Sequence, residues 1–265
     1  MSSFVQSAKI RRLFTTKSGL AFAKIKAMDK KLDFSRGLSQ TSAFGQVEWA
    51  AVRTLLLALE YRDAATYHHS LRVAELATRA GHTLGLSLHV LEELNLAGLM
   101  HDIGKIGLPD SVLQKAGKLS KNERGLVTLH PELSAKILAP LPRFDRIREI
   151  IVQHHERYDG TGYPEGRFDD EILIESRILA VSDAFDALCT QRPYRDPLTA
   201  EEAMGWIESE IGRQFCPVSA QAVLQVVETQ MSEGEKPGGN SKLELDSFSQ
   251  RGNLSEYANY ILLNT

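Results

Sequence analysis

The sequence predicts an all-α domain, and three observations carry that reading. Between Val47 and Val227 apolar residues recur at three- and four-residue spacing, with almost none of the alternation a half-buried strand needs. Chain breakers punctuate this pattern at Gly81, Gly85, Gly104, Gly107 and Pro109. Ser120 with Glu123, and Thr199 with Glu202, have the spacing of capping boxes, in which each side chain satisfies a backbone N–H of the other's turn.

The elements follow in order. A helix over residues 46 to 60 presents Val47, Ala50, Ala51, Leu55 and Leu59, and a second over 65 to 84 presents Val73, Leu76, Ala77 and Ala80. A third, 88 to 102, carries His101 and Asp102 in its last turn, before the glycines of the run His101-Asp102-Ile103-Gly104-Lys105-Ile106-Gly107; Pro109 then suits a new helix start. The helix capped at Ser120 runs toward His130, where Pro131 must kink or restart it because proline has no backbone donor. Residues 143 to 155 form a helix ending in His154 and His155, and 156 to 170 are a glycine-rich shaped loop containing Asp159-Gly160-Thr161-Gly162-Tyr163-Pro164. Helix returns over 176 to 188 and again after Thr199. The domain therefore spans 46–232. Residues 1–45 read as a basic segment or linker, and 233–265 as a polar tail in which 257 to 263 either form a short docking helix or stay disordered.

Composition bounds the function. Of 265 residues, 43% are hydrophobic and 25% charged, as in soluble globular chains. No apolar run approaches the roughly 20 residues of a membrane span. A net charge of -3 argues against a DNA or RNA polymer as partner, which would need clustered Lys and Arg. Cys189 and Cys216 are isolated, which fits a reducing compartment, and both read as small core residues. Lys9, Arg11, Arg12, Lys17, Lys24, Lys26 and Lys30, with Asp29 the only acid among them, suit a solvated lead-in, a transit peptide or a membrane-surface helix; no secretory signal is recognisable.

Chemistry concentrates in the histidines. Of eight, most lie near predicted helix ends or beside an aspartate rather than on apolar stripes. His69, His101, Asp102, His130, His154, His155 and Asp183 together form a set of imidazole nitrogens and carboxylate oxygens that suits iron, manganese or zinc, and an aspartate can bridge two ions. His68, His82 and His89 read as structural or exposed.

The run from His101 to Gly107, the run His154-His155-Glu156-Arg157-Tyr158-Asp159-Gly160-Thr161-Gly162-Tyr163-Pro164, and the block from Arg177 to Leu188 followed by Arg192-Pro193-Tyr194-Arg195 resemble, in order, the signatures of the HD-GYP family. The resemblance covers residues from about 60 to 217. It implies an HD-superfamily helical bundle that hydrolyses cyclic di-GMP through pGpG to GMP, in the bacterial cytoplasm. It implies a metal ligand set of His69, His101, Asp102, His130, His154, His155 and Asp183, with Asp102 bridging two divalent ions, iron or manganese. A metal-bridging hydroxide is then the expected nucleophile, with ions about 3.5–4 Å apart. Lys105 resembles the family lysine at the scissile phosphate, a catalytic and substrate-binding position. Arg192 and Arg195 match positions that hold phosphates or guanine edges.

Other assignments stay open at this stage. Tyr163 either meets the ligand or anchors the core, Gly162 allows close backbone approach to substrate, and Asp186 either orients a ligand or Arg192, or is a surface aspartate. Some family members bind a third metal through a glutamate where this chain has Ala65, so two metals are expected. The resemblance also admits a diguanylate cyclase or sensor partner and a homodimer. Two alternatives remain: the same chemistry on another cyclic or linear dinucleotide, and a non-catalytic receptor.

Overall fold

The computed structural model describes residues 44–113, 115, 117–191, 196–234 and 237. The segments before residue 44 and after 237, including the basic lead-in and the docking helix, lie outside them. So do Arg192 and Arg195. Among the described residues ten α-helices and no strand occur, which meets the all-α expectation. They are α1 Gln46–Arg62, α2 Ala64–Thr83, α3 Leu88–Met100, α4 Asp110–Leu113, α5 Lys121–Val127, α6 His130–Leu138, α7 Asp145–Val152, α8 Ile174–Cys189, α9 Ala200–Ser209 and α10 Pro217–Ser232. Short 3-10 turns at Ile103–Gly107 and Asp169–Glu171 follow α3 and precede α8.

Local chemistry fixes most helix starts. The Asp63 carboxylate accepts from the Ala65 and Thr66 amides at the head of α2, both at 3.1 Å. Ser120 and Glu123 close one capping box ahead of α5, and Thr199 and Glu202 another ahead of α9. Pro131 restarts the chain as α6, as its missing donor requires.

The core is built around α2, which packs against α1, α3, α8 and α10. Its Val73, Leu76, Ala77 and Ala80 are buried as expected. The first helix differs: Val52, Leu56 and Leu59 are buried, whereas Val47 is 75% exposed and Leu55 half-exposed. With Leu55, Leu56, Leu57 and Leu59 almost consecutive, apolar residues lie on several sides of α1, and only its packing partners select the inner face. Cys216 is buried; Cys189, expected in the core, is half-buried at the end of α8.

Two close approaches set the geometry that matters below. A Cβ on Gly98 of α3 would stand 2.6 Å from the Ala74 Cα of α2, so the two helices touch backbone to backbone. A Cβ on Gly104 would stand 2.2 Å from the His130 carbonyl oxygen. There the Ser134 hydroxyl donates to the His101 carbonyl at 2.7 Å and accepts from the Gly104 amide at 2.8 Å, stapling α6 to the turn after α3.

Gly104→Ala therefore forces backbone apart and is expected to lower unfolding free energy by about 2 kcal/mol or more in denaturant titration. Gly107→Ala, whose added Cβ would meet nothing nearer than 3.8 Å, serves as the control that stays close to the parent. Equal stability of the two variants would contradict this packing.

Candidate metal centre

Two histidine-bearing helices stop earlier than periodicity predicts. The third helix ends at Met100 rather than 102, and the helix before the glycine-rich loop ends at Val152 rather than 155, so His101, Asp102, His154 and His155 all sit just past helix ends. The rings explain this. His101 Nδ1–H donates to the Gly98 carbonyl at 2.7 Å, and His154 Nδ1–H to the Ile151 carbonyl at 2.6 Å. Each imidazole takes a carbonyl that the next helical turn would have used. His130 does the same with Val127 at 2.7 Å; that carbonyl is free because the residue four ahead is Pro131, which has no N–H to offer it.

For His130 and His154 those bonds decide the tautomer. Burial drives the pKa of His130 down and that of His154 well below the usual imidazole range, with neighbouring imidazoles adding to the effect on His154. A neutral imidazole has one N–H, and a carbonyl can only accept, so the proton is on Nδ1 and Nε2 carries a bare lone pair. The two bare nitrogens of His130 and His154 face each other at 3.4 Å. His155 joins them, its Nε2 3.2 Å from that of His130 and its pKa pushed by burial down to about 3. Lone pairs held in opposition call for a cation between them.

A second group lies alongside. His69 Nε2 is 2.9 Å from Asp183 Oδ1, and the rings of His69 and His101 are 5.4 Å apart. Buried His101 Nε2 lies 3.4 Å from Asp102 Oδ2 without making a hydrogen bond to any group. Asp102 stands between the two groups, with Oδ1 3.2 Å from His130 Nε2 and Oδ2 toward His101 and, at 3.8 Å, His69. Donor atoms around an ion with ligands at about 2.1 Å lie about 3.0–3.4 Å from one another. Nearly all these separations match that spacing. The triads His130–His154–His155, His69–His101–Asp183 and His101–Asp102–His154 can each hold a metal ion.

Charge points the same way. Asp102 and Asp183 stay ionised: burial opposes it, but Lys105 holds Asp102 well below the carboxylate range, and His69 does so for Asp183. Burial also opposes a proton on His69, yet its hydrogen bonds to Asp183 and Asp186 outweigh this and push its pKa up to about 9. Lys105 is the other cation here, its Nζ 2.5 Å from Asp102 Oδ2 and its side chain partly exposed at the rim.

The structure thus gathers all seven expected ligand positions. Tyr163 stacks at a tilt on His155, ring centres 4.9 Å apart, and its amide donates to the His155 carbonyl. A Cβ on Gly162 would lie 2.3 Å from the Arg157 nitrogen, so this glycine serves the loop's closure onto Glu156 and Arg157. Asp186 accepts from His69 Nδ1 at 2.6 Å, so it touches an expected ligand position, and it also accepts from Arg72; Arg192, the other partner expected for it, lies outside the described residues. His68, His82 and His89 are exposed, as expected.

Three residues escaped sequence reading. Arg72 lies one helical turn beyond His69, a spacing that could have revealed it. Ser134 holds a like position after His130. Glu156, buried, accepts from the amides of Glu165, Gly166 and Arg167 and so closes the glycine-rich loop on itself; nothing in the sequence pairs it with those amides.

Comparison with known proteins places the chain. A model of the HD domain matches residues 53–217, more than half of its length. The chain belongs to the HD domain family. Among curated relatives of this HD domain, the cyclic di-GMP phosphodiesterase response regulator RpfG of Xanthomonas campestris is 37% identical over 72% of this chain and 51% of its own. A 3'3'-cGAMP-specific phosphodiesterase of Vibrio cholerae is 33% identical over 82% of this chain and 40% of its own. The chain thus spans about half the length of these relatives or less. A crystal structure of a cyclic GMP-AMP specific phosphodiesterase of V. cholerae shares the fold, with a TM-score of 0.54 at 24% identity, covering 77% of this chain and 52% of that one. No described helix of the HD domain is long and apolar enough to cross a membrane.

An ion bound at His69 must displace its proton, so affinity for Mn2+ at that side should rise up to about tenfold per pH unit between about pH 6 and 8.5, with proton release. Calorimetric titration of metal-stripped protein in buffers of different ionisation enthalpy measures both; a pH-independent affinity removes His69 from the ligand set. In the metal-free protein the same shift contributes stability that is complete below about pH 6.5, the unfolded value, and is lost as pH rises through about 9.

Proposed function

We propose that this HD domain holds two divalent cations, iron or manganese, and hydrolyses the phosphodiester bonds of cyclic di-GMP. The observation that carries the reading is the opposed, unprotonated Nε2 pair of His130 and His154 beside the carboxylate of Asp102, whose two oxygens face separate groups of histidines. Imidazole lone pairs with no donor are costly to bury, and a cation held by them satisfies both. Bound ions would supply a water acidic enough to attack phosphorus and charge to steady the phosphoryl oxygens.

The chain's own residues do the rest. Asp102 spans the two groups and fixes their separation. His69 and Asp183 complete one side, and His154 and His155 the other. Lys105 stands at the partly exposed rim, where its ammonium can leave Asp102 and meet a nonbridging phosphate oxygen as negative charge develops. Tyr163 covers the face of His155, where it can meet a bound substrate. The activity named for RpfG, a response regulator, supports cyclic di-GMP as substrate and a signalling setting. The relative named for 3'3'-cGAMP favours a second reading, in which the same site cuts a mixed cyclic dinucleotide.

Turnover of cyclic di-GMP, 3'3'-cGAMP and linear pGpG by protein loaded with Mn2+ or, anaerobically, with Fe2+ decides between them; turnover of none overturns both. Asp102→Ala should lose at least one equivalent of metal and activity by more than about a thousandfold, and full retention of metal and rate would defeat the reading. Lys105→Met should keep its metal, read by elemental analysis, while kcat falls by about a hundredfold.

A further inference from the structure

Asp183 and Asp186 are chemically identical carboxylates one turn apart on α8, hence on one face of that helix, and both touch His69. They do so from opposite sides of the ring: Asp183 meets Nε2, the nitrogen facing the cluster, and Asp186 meets Nδ1, the nitrogen facing away. What separates their roles is Arg72. Its Nε donates to Asp186 Oδ1 at 2.6 Å and its Nη2 to Oδ2 at 2.9 Å, a bidentate fork that fixes the plane of the carboxylate. Nη2 also reaches the Thr190 hydroxyl at 3.2 Å, and that hydroxyl lies 3.3 Å from Asp186 Oδ2. Both oxygens of Asp186 are thereby committed, and Oδ2 keeps one direction for His69 Nδ1.

We propose that Arg72 is a positioning residue that sorts the two aspartates, holding Asp186 outward as the orienter of His69 so that Asp183 alone faces the cluster from α8. The inference rests on the metal-centre reading above and extends it to a residue that touches no ligand atom facing the cluster. Arg72 and His69 are themselves one turn apart on α2, so the pairing is a two-by-two lock between α2 and α8, with one residue of each helix toward the cluster and one behind it. Without the fork, the Asp186 carboxylate is free to rotate and the His69 ring loses the contact that fixes its direction. Loss of such an outer partner weakens metal binding by about 10–100-fold.

The test is calorimetric titration of the metal-stripped full chain with Mn2+ alone, backed by thermal melting of the same metal-free samples. Wild type should take up two equivalents. Arg72→Gln should bind one of them about 10–100-fold more weakly and leave the other unchanged, because His130, His154 and His155 are held by other contacts. Arg72→Lys keeps the charge but not the fork and should fall between; it decides the matter if the glutamine variant melts below the assay temperature. In Arg72→Ala, millimolar guanidinium should restore affinity where equal sodium chloride does not. Two equivalents of unchanged affinity in the glutamine or lysine variant would overturn the proposal while leaving the metal centre intact, as would a uniform loss at both sites. A wild-type chain that binds no Mn2+ would instead overturn the metal-centre reading, and this proposal with it.

Discussion

Everything at this site depends on where three imidazole protons are kept. His101, His130 and His154 each donate Nδ1–H to the carbonyl three residues earlier, which turns Nε2 inward, and in neutral His130 and His154 that nitrogen is a bare lone pair. The same bonds end two of the helices and use a carbonyl that a proline leaves free in the third case, so backbone structure and ligand chemistry are settled by one contact. Packing then presses these nitrogens together beside ionised Asp102 and Asp183, a set of donors that a divalent ion can satisfy together.

Much of the fold was legible in the sequence because helices announce themselves locally. The capping boxes at Ser120 and Thr199 and the restart at Pro131 depend on residues within one turn, and the structure shows each in place. The buried face of α1 was not legible, since a run of leucines offers more than one apolar side and only tertiary contacts choose. Nor were the helix ends at Met100 and Val152, because apolar periodicity cannot see a ring N–H competing for a carbonyl.

The candidate site divides in the same way. The histidines and aspartates that the structure gathers were visible because most of the histidines stand near helix ends or beside an aspartate, off the apolar stripes, and their order along the chain matched a family signature. Their supports were not visible: Arg72 meets a carboxylate 114 residues away, and Glu156 binds backbone amides, which leave no mark in the sequence. Residue identity reports the chemistry a site can perform more readily than the scaffold that aims it.

Gly98 joins the two concerns at a single position. Its α-carbon face lies against Ala74 while its carbonyl holds the His101 ring. The distance between α2 and α3 is therefore also the gauge of how far His69 stands from His101. A substitution at Gly98 that widened the helix spacing by a methyl's breadth would pull two donors apart without touching either. At this position a change in core packing reads out as a change in coordination geometry, and the two cannot be varied independently.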